Sequence, residues 1–598
     1  MAEGRFPSPF EVEGPEGVEG WEELYSYPLP FSEGRREYED NRFWFWDSMH
    51  WGQAMTPWVS TFMEMAIASL SQMNSRHYLI PPADGVDFRV LYGYPFLSPV
   101  AVDPEKIEAR VPQFMERAGH YFANWDSLYD AWLGKVKTSI DAIDAINFDP
   151  LPEVEDLSVV TDGLGVGSGH AIQQEYHRFK DLILEVWNYH FEFLNLGYAA
   201  YLDFFGFCKE AFPSIPDLGI AKMVAGVEVD LFRPNEELKV LAQKAVDLGI
   251  GSAFDDPNNV NLESAAGQEW SEAYDAVKEP WFNFSEGNGF YHQDRIWIDN
   301  PDIPHGFIRD YITKIEAGDD ITRPIEAIRE ERDRVVSEYR DLLATDEDRE
   351  AFDGKLGLAR TVFPYVENHN FYIEHWTMSR VWRKLRQLGD TLATAGLTTA
   401  GDDIFYFRRD EVDELLWDYY SNWAVNAPFG APTYWGPKIV RRRELVQKLS
   451  EWKPPKALGE PPEVVTEPFT IMLWGITSDS VQNWLGSGKE DDDGLSGMAA
   501  SPGVAEGPAR VVFKPEDIND IEDGEILVAP ITAPSWAPVF PKIRACVTDI
   551  GGMMSHAAIV CREYGVPAVT GTGFGTVEIQ TGDMIRVDGS AGTVTKIE

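Results

Sequence analysis

Thr548-Asp549-Ile550-Gly551-Gly552-Met553-Met554-Ser555-His556-Ala557-Ala558-Ile559-Val560-Cys561-Arg562-Glu563-Tyr564-Gly565-Val566-Pro567-Ala568-Val569 is the stretch on which the reading of this chain turns. A β-run ends at Thr548, and Gly551 and Gly552 permit a tight backbone turn. The pattern then predicts a helix from Ser555 to Tyr564, with His556 in its first turn and Gly565 just past its end. Free amides at a helix N-terminus, with the Gly-Gly backbone beside them, form a cradle for anionic oxygens. An imidazole of ordinary pKa, about 6.5, is largely neutral at neutral pH and is a competent nucleophile toward phosphorus. The hydroxyls of Thr548 and Ser555 and the guanidinium of Arg562 are expected to add donors around a phosphoryl group on His556. For Gly-Gly-x-x-Ser-His alone, a histidine that merely caps or packs at a helix start is the better reading. The full ordered stretch favours a phosphoryl carrier.

Working outward, the texture around this motif is that of a small α/β domain at 498–598. Short β-runs are predicted at Ala509–Phe513, Glu525–Ala529, Ala545–Thr548 and Met584–Val587. The last leads through Asp588-Gly589-Ser590-Ala591-Gly592 into Thr593–Ile597. Before it lies a linker region at 453–497. Lys453 to Pro468 carries five prolines, and Gly486 to Gly497 is rich in Gly, Ser and Asp, compositions that favour a hinge. From 42 to 452 the periodicity is mostly helical, for example at Trp58–Met73, Ile172–Tyr198, Ile325–Leu343 and Phe371–Leu388. Residues 1–41, rich in Gly, Pro and Glu, read as an extended arm lying on that body. The expected fold is therefore α+β and multidomain: a mostly helical substrate domain followed by a small α/β domain on a flexible connection.

At 598 residues the chain exceeds what one core usually serves. A formal charge of -48 argues against nucleic acid or an anionic membrane as partner, because both would repel such a surface. Three cysteines allow neither a disulfide framework nor a Cys-rich metal site. With no signal-peptide pattern and no long apolar run, a cytoplasmic location is expected. The 13% aromatic content suits a core, and also an enzyme that holds a flat apolar substrate.

The motif closely resembles the swivelling phosphohistidine domain of the PEP-utilising enzymes, among them phosphoenolpyruvate synthase, pyruvate phosphate dikinase and rifampin phosphotransferase. The resemblance runs from about Leu495 to Glu598. It takes in Ala500-Ser501-Pro502-Gly503-Val504-Ala505-Glu506-Gly507 and Ala529-Pro530-Ile531-Thr532-Ala533-Pro534-Ser535-Trp536, besides Gly551, Gly552, Ser555, His556, Arg562, Glu563, Gly565 and Pro567. It implies that His556 takes a phosphoryl group from ATP, with AMP and phosphate released, and swings with it to a distant acceptor. No ATP-grasp domain is legible here. Gly163-Leu164-Gly165-Val166-Gly167-Ser168-Gly169 lacks the following Lys and the preceding strand of a phosphate loop. Met554 stands where pyruvate-handling members commonly have Thr, which points away from pyruvate. Phe363 to Leu416, with Asp402-Asp403-Ile404-Phe405-Tyr406, resembles the substrate domain of rifampin phosphotransferase. The whole layout resembles the larger subunit of phenylphosphate synthase and related alkylphenol-phosphorylating enzymes. That resemblance implies a separate ATP-grasp subunit holding ATP and its Mg²⁺, and a small phenolic or hydroxylated aromatic acceptor such as phenol or 4-methylphenol. Antibiotic phosphorylation of the rifampin type and a non-catalytic phosphocarrier are the alternatives.

A phenol ionises at a pKa of about 10, so a neighbouring base or cation would assist its attack. Glu367-Asn368-His369-Asn370-Phe371-Tyr372-Ile373-Glu374-His375-Trp376 offers Glu367, His369 and His375 as candidate bases. Arg380, on the helix that follows, is a candidate for neutralising phosphate charge. Each, taken singly, also fits an ordinary surface or core residue. The aromatic string Phe43 to Trp51 reads as the start of a helix and as core before pocket lining. His170, His177 and His190 are not spaced as a helical metal motif, and no metal ligand is expected.

Overall fold

The computed structural model describes residues 4–465, 467–485 and 495–597. Most of the Gly486–Gly497 tract read as a hinge therefore lies outside the described residues. Contacts divide the chain into two units. One comprises Met1–Glu192 with Thr377–Pro462, and the other Phe193–Trp376 with Glu463–Glu598. The boundaries at 42, 453 and 498 mark changes in sequence texture, whereas these units mark packing, and the two partitions do not coincide.

The first unit is helical around a four-stranded antiparallel sheet in the order Ala83–Leu91, Tyr94–Ala101, Phe43–Trp46, Ala457–Gly459. Phe43–Trp46 is thus a strand, which corrects the reading of this string as a helix start. An inner strand packed on both faces takes consecutive large apolar residues, and Trp44 and Phe45 are fully buried. The two longest strands form a hairpin whose turn residues, Tyr92 and Gly93, both have positive φ (47° and 91°), as a tight two-residue hairpin requires. Residues 4–40 lie on this unit, with Trp21, Leu24 and Leu29 buried and the Val90 amide donating to the Leu29 carbonyl at 2.9 Å. Helices Pro57–Gln72, Pro104–Ala123, Trp125–Asp144, Ser168–Glu192, Met378–Ala395, Arg409–Val425 and Gly436–Glu451 are its longer helices. Asp402–Tyr406, part of the stretch that resembles the rifampin phosphotransferase substrate domain, lies in a short 3₁₀ turn over Gly401–Tyr406 in which Ile404 and Phe405 are buried.

The second unit begins where the predicted helix Ile172–Tyr198 breaks. Ser168–Glu192 ends, and Leu194–Ala211 starts after Phe193. This second helix packs along Asp346–His369 closely enough that a Cβ on Gly197 would stand 2.7 Å from Val366. After Asp346–His369 the chain does not continue as a regular α-helix. Asn370–Thr377 is a π-helical turn, a departure often found where side chains are aimed at a site.

The C-terminal part of this unit is an eight-stranded sheet. Its order is Leu495–Ser496, Thr593–Lys596, Met584–Asp588, Val504–Val511, Ile526–Ala529, Ala545–Thr548, Ala568–Thr570, Met498–Ser501. The central neighbours from Val504–Val511 to Ala568–Thr570 run parallel. Strands buried on both faces read as continuous apolar runs, as Ile526–Ala529 and Ala545–Thr548 do. Ala509, Ile526, Val528, Val547, Val569, Ile585 and Val587 form the core of this domain. The helix His556–Tyr564 follows the third parallel strand and ends at Gly565, whose φ of 68° provides the left-handed cap. The fold is thus α+β, with a small α/β domain behind helical structure. No helix among the described residues is long and apolar enough to cross a membrane.

Candidate phosphoryl-transfer site

His556 is the first residue of its helix, with Ser555 as N-cap in an extended conformation (φ -70°, ψ 154°). Its Nδ1 lies 3.2 Å from the Thr532 hydroxyl. That contact leaves Nε2 as the nitrogen for a phosphoryl group when Nδ1–H donates to Thr532. The ring keeps a partly exposed surface but is densely surrounded, and the resulting desolvation lowers its pKa to about 3. His556 is accordingly a neutral imidazole at physiological pH, the form a nucleophile needs.

The residues around it are engaged within the protein. Thr548 Oγ1 donates to the Ile550 carbonyl at 2.9 Å. The Gly552 and Met554 amides donate to the carbonyls of Leu473 (3.1 Å) and Met472 (3.2 Å). Gly552 is needed for that approach, because a Cβ there would stand 2.2 Å from the Met472 carbonyl oxygen. Gly551, at φ 133°, occupies a conformation that L side chains rarely adopt. Arg562 donates to the Met553 carbonyl (2.9 Å) and the Ala500 carbonyl (3.0 Å), and so fixes the shape of the loop before His556. Ser555 Oγ is buried and makes no hydrogen bond within the protein.

The rest of the second unit closes on this helix through defined contacts. Glu563 accepts from the Gly226 amide at 2.8 Å, Tyr564 accepts from Asn235 at 2.8 Å, and Lys542 pairs with Asp310. Ser535 Oγ and Trp536 Nε1 both donate to the Glu286 carbonyl, at 2.7 and 3.1 Å. These contacts bring His556 beside the π-helical turn. Burial lowers the pKa of His375 to about 3, and a proton on His556 would lower it further. Glu367 is buried, and desolvation raises its carboxyl to about 8, against the attraction of Arg562. Glu367 Oε2 and His375 Nε2 are buried and make no hydrogen bond within the protein. An aromatic wall adjoins them. Phe284 lies 4.2 Å from the His375 ring by centroids, and Trp297 and Phe371 pack on Phe284 at 5.1 and 6.1 Å.

Of the residues picked from sequence, the second unit gathers Glu367, His375, Ser555, Arg562 and His556. His369 is otherwise engaged, with Nδ1 at 3.3 Å from the Tyr365 carbonyl and Nε2 at 3.9 Å from Glu374. Arg380 belongs to the first unit, where it pairs with Asp144 at 3.4 Å. Three participants carried no assigned role in the sequence: Thr532, Ser285 and the Ser535-Trp536 pair. Thr532 and Ser535-Trp536 lie within Ala529–Trp536, a segment singled out without roles. Ser285 sits in a region with no motif.

Residues 521–592 match the family described as PEP-utilising enzyme, mobile domain. The chain is 25% identical over 93% of its length to chondramide synthase cmdD of Chondromyces crocatus, covering 14% of that protein. It is 27% identical over 51% of its length to the uncharacterized phosphotransferase YvkC of Bacillus subtilis, covering 34% of it. A rifampicin phosphotransferase of Bacillus cereus is 36% identical over 32% of this chain, which covers 19% of that enzyme. The chain thus spans about a third or less of the length of these curated relatives. Residues 521–592, with His556 at the head of the helix behind the third parallel strand, are thus the part of the chain that matches the PEP-utilising enzyme mobile domain.

Proposed function

We propose that this protein is the phosphohistidine-bearing, acceptor-binding part of an ATP-dependent phosphotransferase acting on a phenolic or aryl alcohol hydroxyl. The observation that carries the reading is His556 at the head of its helix in the same unit as Glu367 and His375, two buried side chains with a polar atom each left unbonded inside the protein. The phosphoryl group arrives on His556 Nε2 from ATP, with AMP and phosphate released. ATP and its Mg²⁺ are assigned to a separate ATP-grasp polypeptide, as in the two-polypeptide layout this chain resembles. In the arrangement described, the acceptor hydroxyl attacks phosphorus, the P–N bond breaks, and its electron pair returns to the His556 ring. The hydroxyl proton passes to Glu367, the candidate base whose raised pKa suits a proton exchanged near neutrality. Phe284, Trp297 and Phe371 make the surroundings of His375 apolar, which supports an apolar acceptor. Arg562 acts at one remove, by holding the loop before His556.

The test mixes the purified chain with its candidate ATP-grasp partner and ATP labelled at the β-phosphate. Acid-labile, base-stable label is expected on wild type and not on His556→Ala, and phenol or 4-methylphenol is expected to discharge it. Label that no hydroxyl compound removes would favour a phosphocarrier. Discharge onto a rifamycin but not onto phenols would favour the antibiotic reading, which the rifampicin phosphotransferase relatives support. Absence of His556-dependent label with an ATP-binding partner present would overturn the proposal.

A further inference from the structure

The segment from Asn283 to Ile296 reaches both the histidine domain and the π-helical turn. On one side its Glu286 carbonyl accepts from Ser535 and Trp536. On the other, the Ser285 amide donates to His375 Nδ1 at 3.2 Å. Gly289 presses on the same turn so closely that a Cβ there would stand 1.9 Å from the Glu374 carbonyl oxygen, and its φ of 85° also calls for glycine. The segment is itself braced. Ser285 pairs with Ile296 as an isolated bridge, Asp294 accepts from the Ser285 hydroxyl at 3.3 Å, and Arg295 joins Glu286 (3.1 Å) to Asp302 (2.9 Å).

A backbone N–H can only donate, so the nitrogen it meets must offer a lone pair. Neutral imidazole has one such nitrogen and carries its proton on the other. Nδ1 is the acceptor, and Nε2 therefore bears the hydrogen. That Nε2 is the buried atom without a partner in the protein, and the Glu286 carbonyl beside Ser285 holds Ser535 and Trp536 of the segment whose Thr532 meets His556. Protonating Nδ1 as well would set N–H against N–H in a buried site walled by Phe284.

We propose that His375 is a neutral hydrogen-bond donor, its proton pinned on Nε2 by the Ser285 amide, and that it stabilises the phosphoryl oxygens as the group leaves His556. This assignment rests on the phosphotransferase reading above and gives His375 a role opposite to that of a base. No proton leaves His375 at any stage. In the transfer the P–N bond to His556 breaks, the acceptor O–P bond forms, and the acceptor proton goes to Glu367. The His375 Nε2–H follows the negative charge on the equatorial oxygens, the task of a preorganised oxyanion donor. Because the segment that pins this tautomer also receives Ser535 and Trp536, the donor is set by the same contacts that seat His556.

The experiment has two independent readouts. In the full-length chain carrying isotope-labelled histidine, long-range proton–nitrogen spectra assigned with His375→Gln should show His375 with its proton on Nε2 and no titration between about pH 5 and 8. Discharge of preformed phospho-His556 onto phenol should fall by about 100-fold in His375→Ala and by less than about tenfold in His375→Gln, whose amide restores a donor. A proton found on Nδ1, a titration inside that window, or a His375→Ala rate equal to wild type would each overturn the assignment. If wild-type phospho-His556 is discharged by no hydroxyl acceptor, the phosphotransferase reading falls and takes the catalytic role of His375 with it. The spectra, which need no turnover, then still separate a wrong tautomer from a wrong acceptor.

Discussion

Replacing Glu367 with glutamine should make the protein more stable and less active, and the stability gain should depend on pH in a calculable way. Glu367 is 2% exposed, and desolvation holds its carboxyl at about 8 against an ordinary 4.5. Between those two values the folded state keeps a proton that the unfolded chain releases, so stability falls as pH rises through this window. At or below about pH 4.5 both states are protonated, and Glu367→Gln gains nothing from this source. At pH 7 the difference is about 2.5 pH units, or about 3 kcal/mol at 1.36 kcal/mol per unit. A cooperative unit of about 320 residues (193–376 with 463–598) has an unfolding entropy near 0.7 kcal/mol/K, so the gain amounts to about 5 °C in Tm at pH 7 and about 1 °C at pH 5. Thermal scans of wild type and variant across that range measure it directly. Discharge of phospho-His556 by phenol should also rise with pH toward about 8 in wild type and be lost in the variant. A Tm difference that is constant with pH, or larger at pH 5 than at pH 7, would mean that Glu367 is ionised in the fold. The burial argument for its role as base would then fail.

Thr532→Val keeps the side-chain shape but removes the hydroxyl from His556 Nδ1, and label incorporation into His556 should slow by about tenfold; an unchanged initial rate would refute its positioning role. Tyr564→Phe combined with Lys542→Ala removes the contacts to Asn235 and Asp310, and should slow discharge to acceptor by about tenfold. Label incorporation by the double variant serves as the control, because a loss there of the same size would show general damage in place of weakened seating. Gly552→Ala places a methyl 2.2 Å from the Met472 carbonyl oxygen, whereas Gly565→Ala meets only open space and a positive φ. Gly565→Ala should cost about 1 kcal/mol and Gly552→Ala more, so the order of their Tm values checks the close approach of residues 472–475 to the His556 loop.

The α/β domain was legible because its signals are local. Ala545–Thr548 ends as predicted, and the helix predicted from Ser555 begins at His556 with Ser555 as its cap. Each boundary is set by residues within a few positions of it. The hairpin Ala83–Ala101 escaped detection because Tyr92-Gly93 is a weak turn signal beside Asn-Gly. The string Phe43–Trp51 misled because an inner strand buried on both faces has no alternation to read. The break at Phe193 and the π-helical turn at Asn370–Thr377 also left the periodicity nearly intact.

The candidate site shows the same division between local and distant information more sharply. Glu367, His375 and Arg380 lie on one short stretch, and nothing in that stretch distinguishes them. What separates them is sequence-distant. Arg380 is engaged by Asp144, some 236 positions earlier, while His375 receives an amide from Ser285, 90 positions earlier. That amide decides the chemistry, since the same imidazole is a base with its acceptor nitrogen free and a donor with it occupied. Arg562 shows the converse. Its place in the family motif suggests a phosphate ligand, yet its donors go to the Met553 and Ala500 carbonyls, so it acts on His556 through the shape of the loop. A motif thus names the residue types a reaction needs, and the role of each follows from which of its hydrogen-bonding atoms the rest of the fold has already engaged.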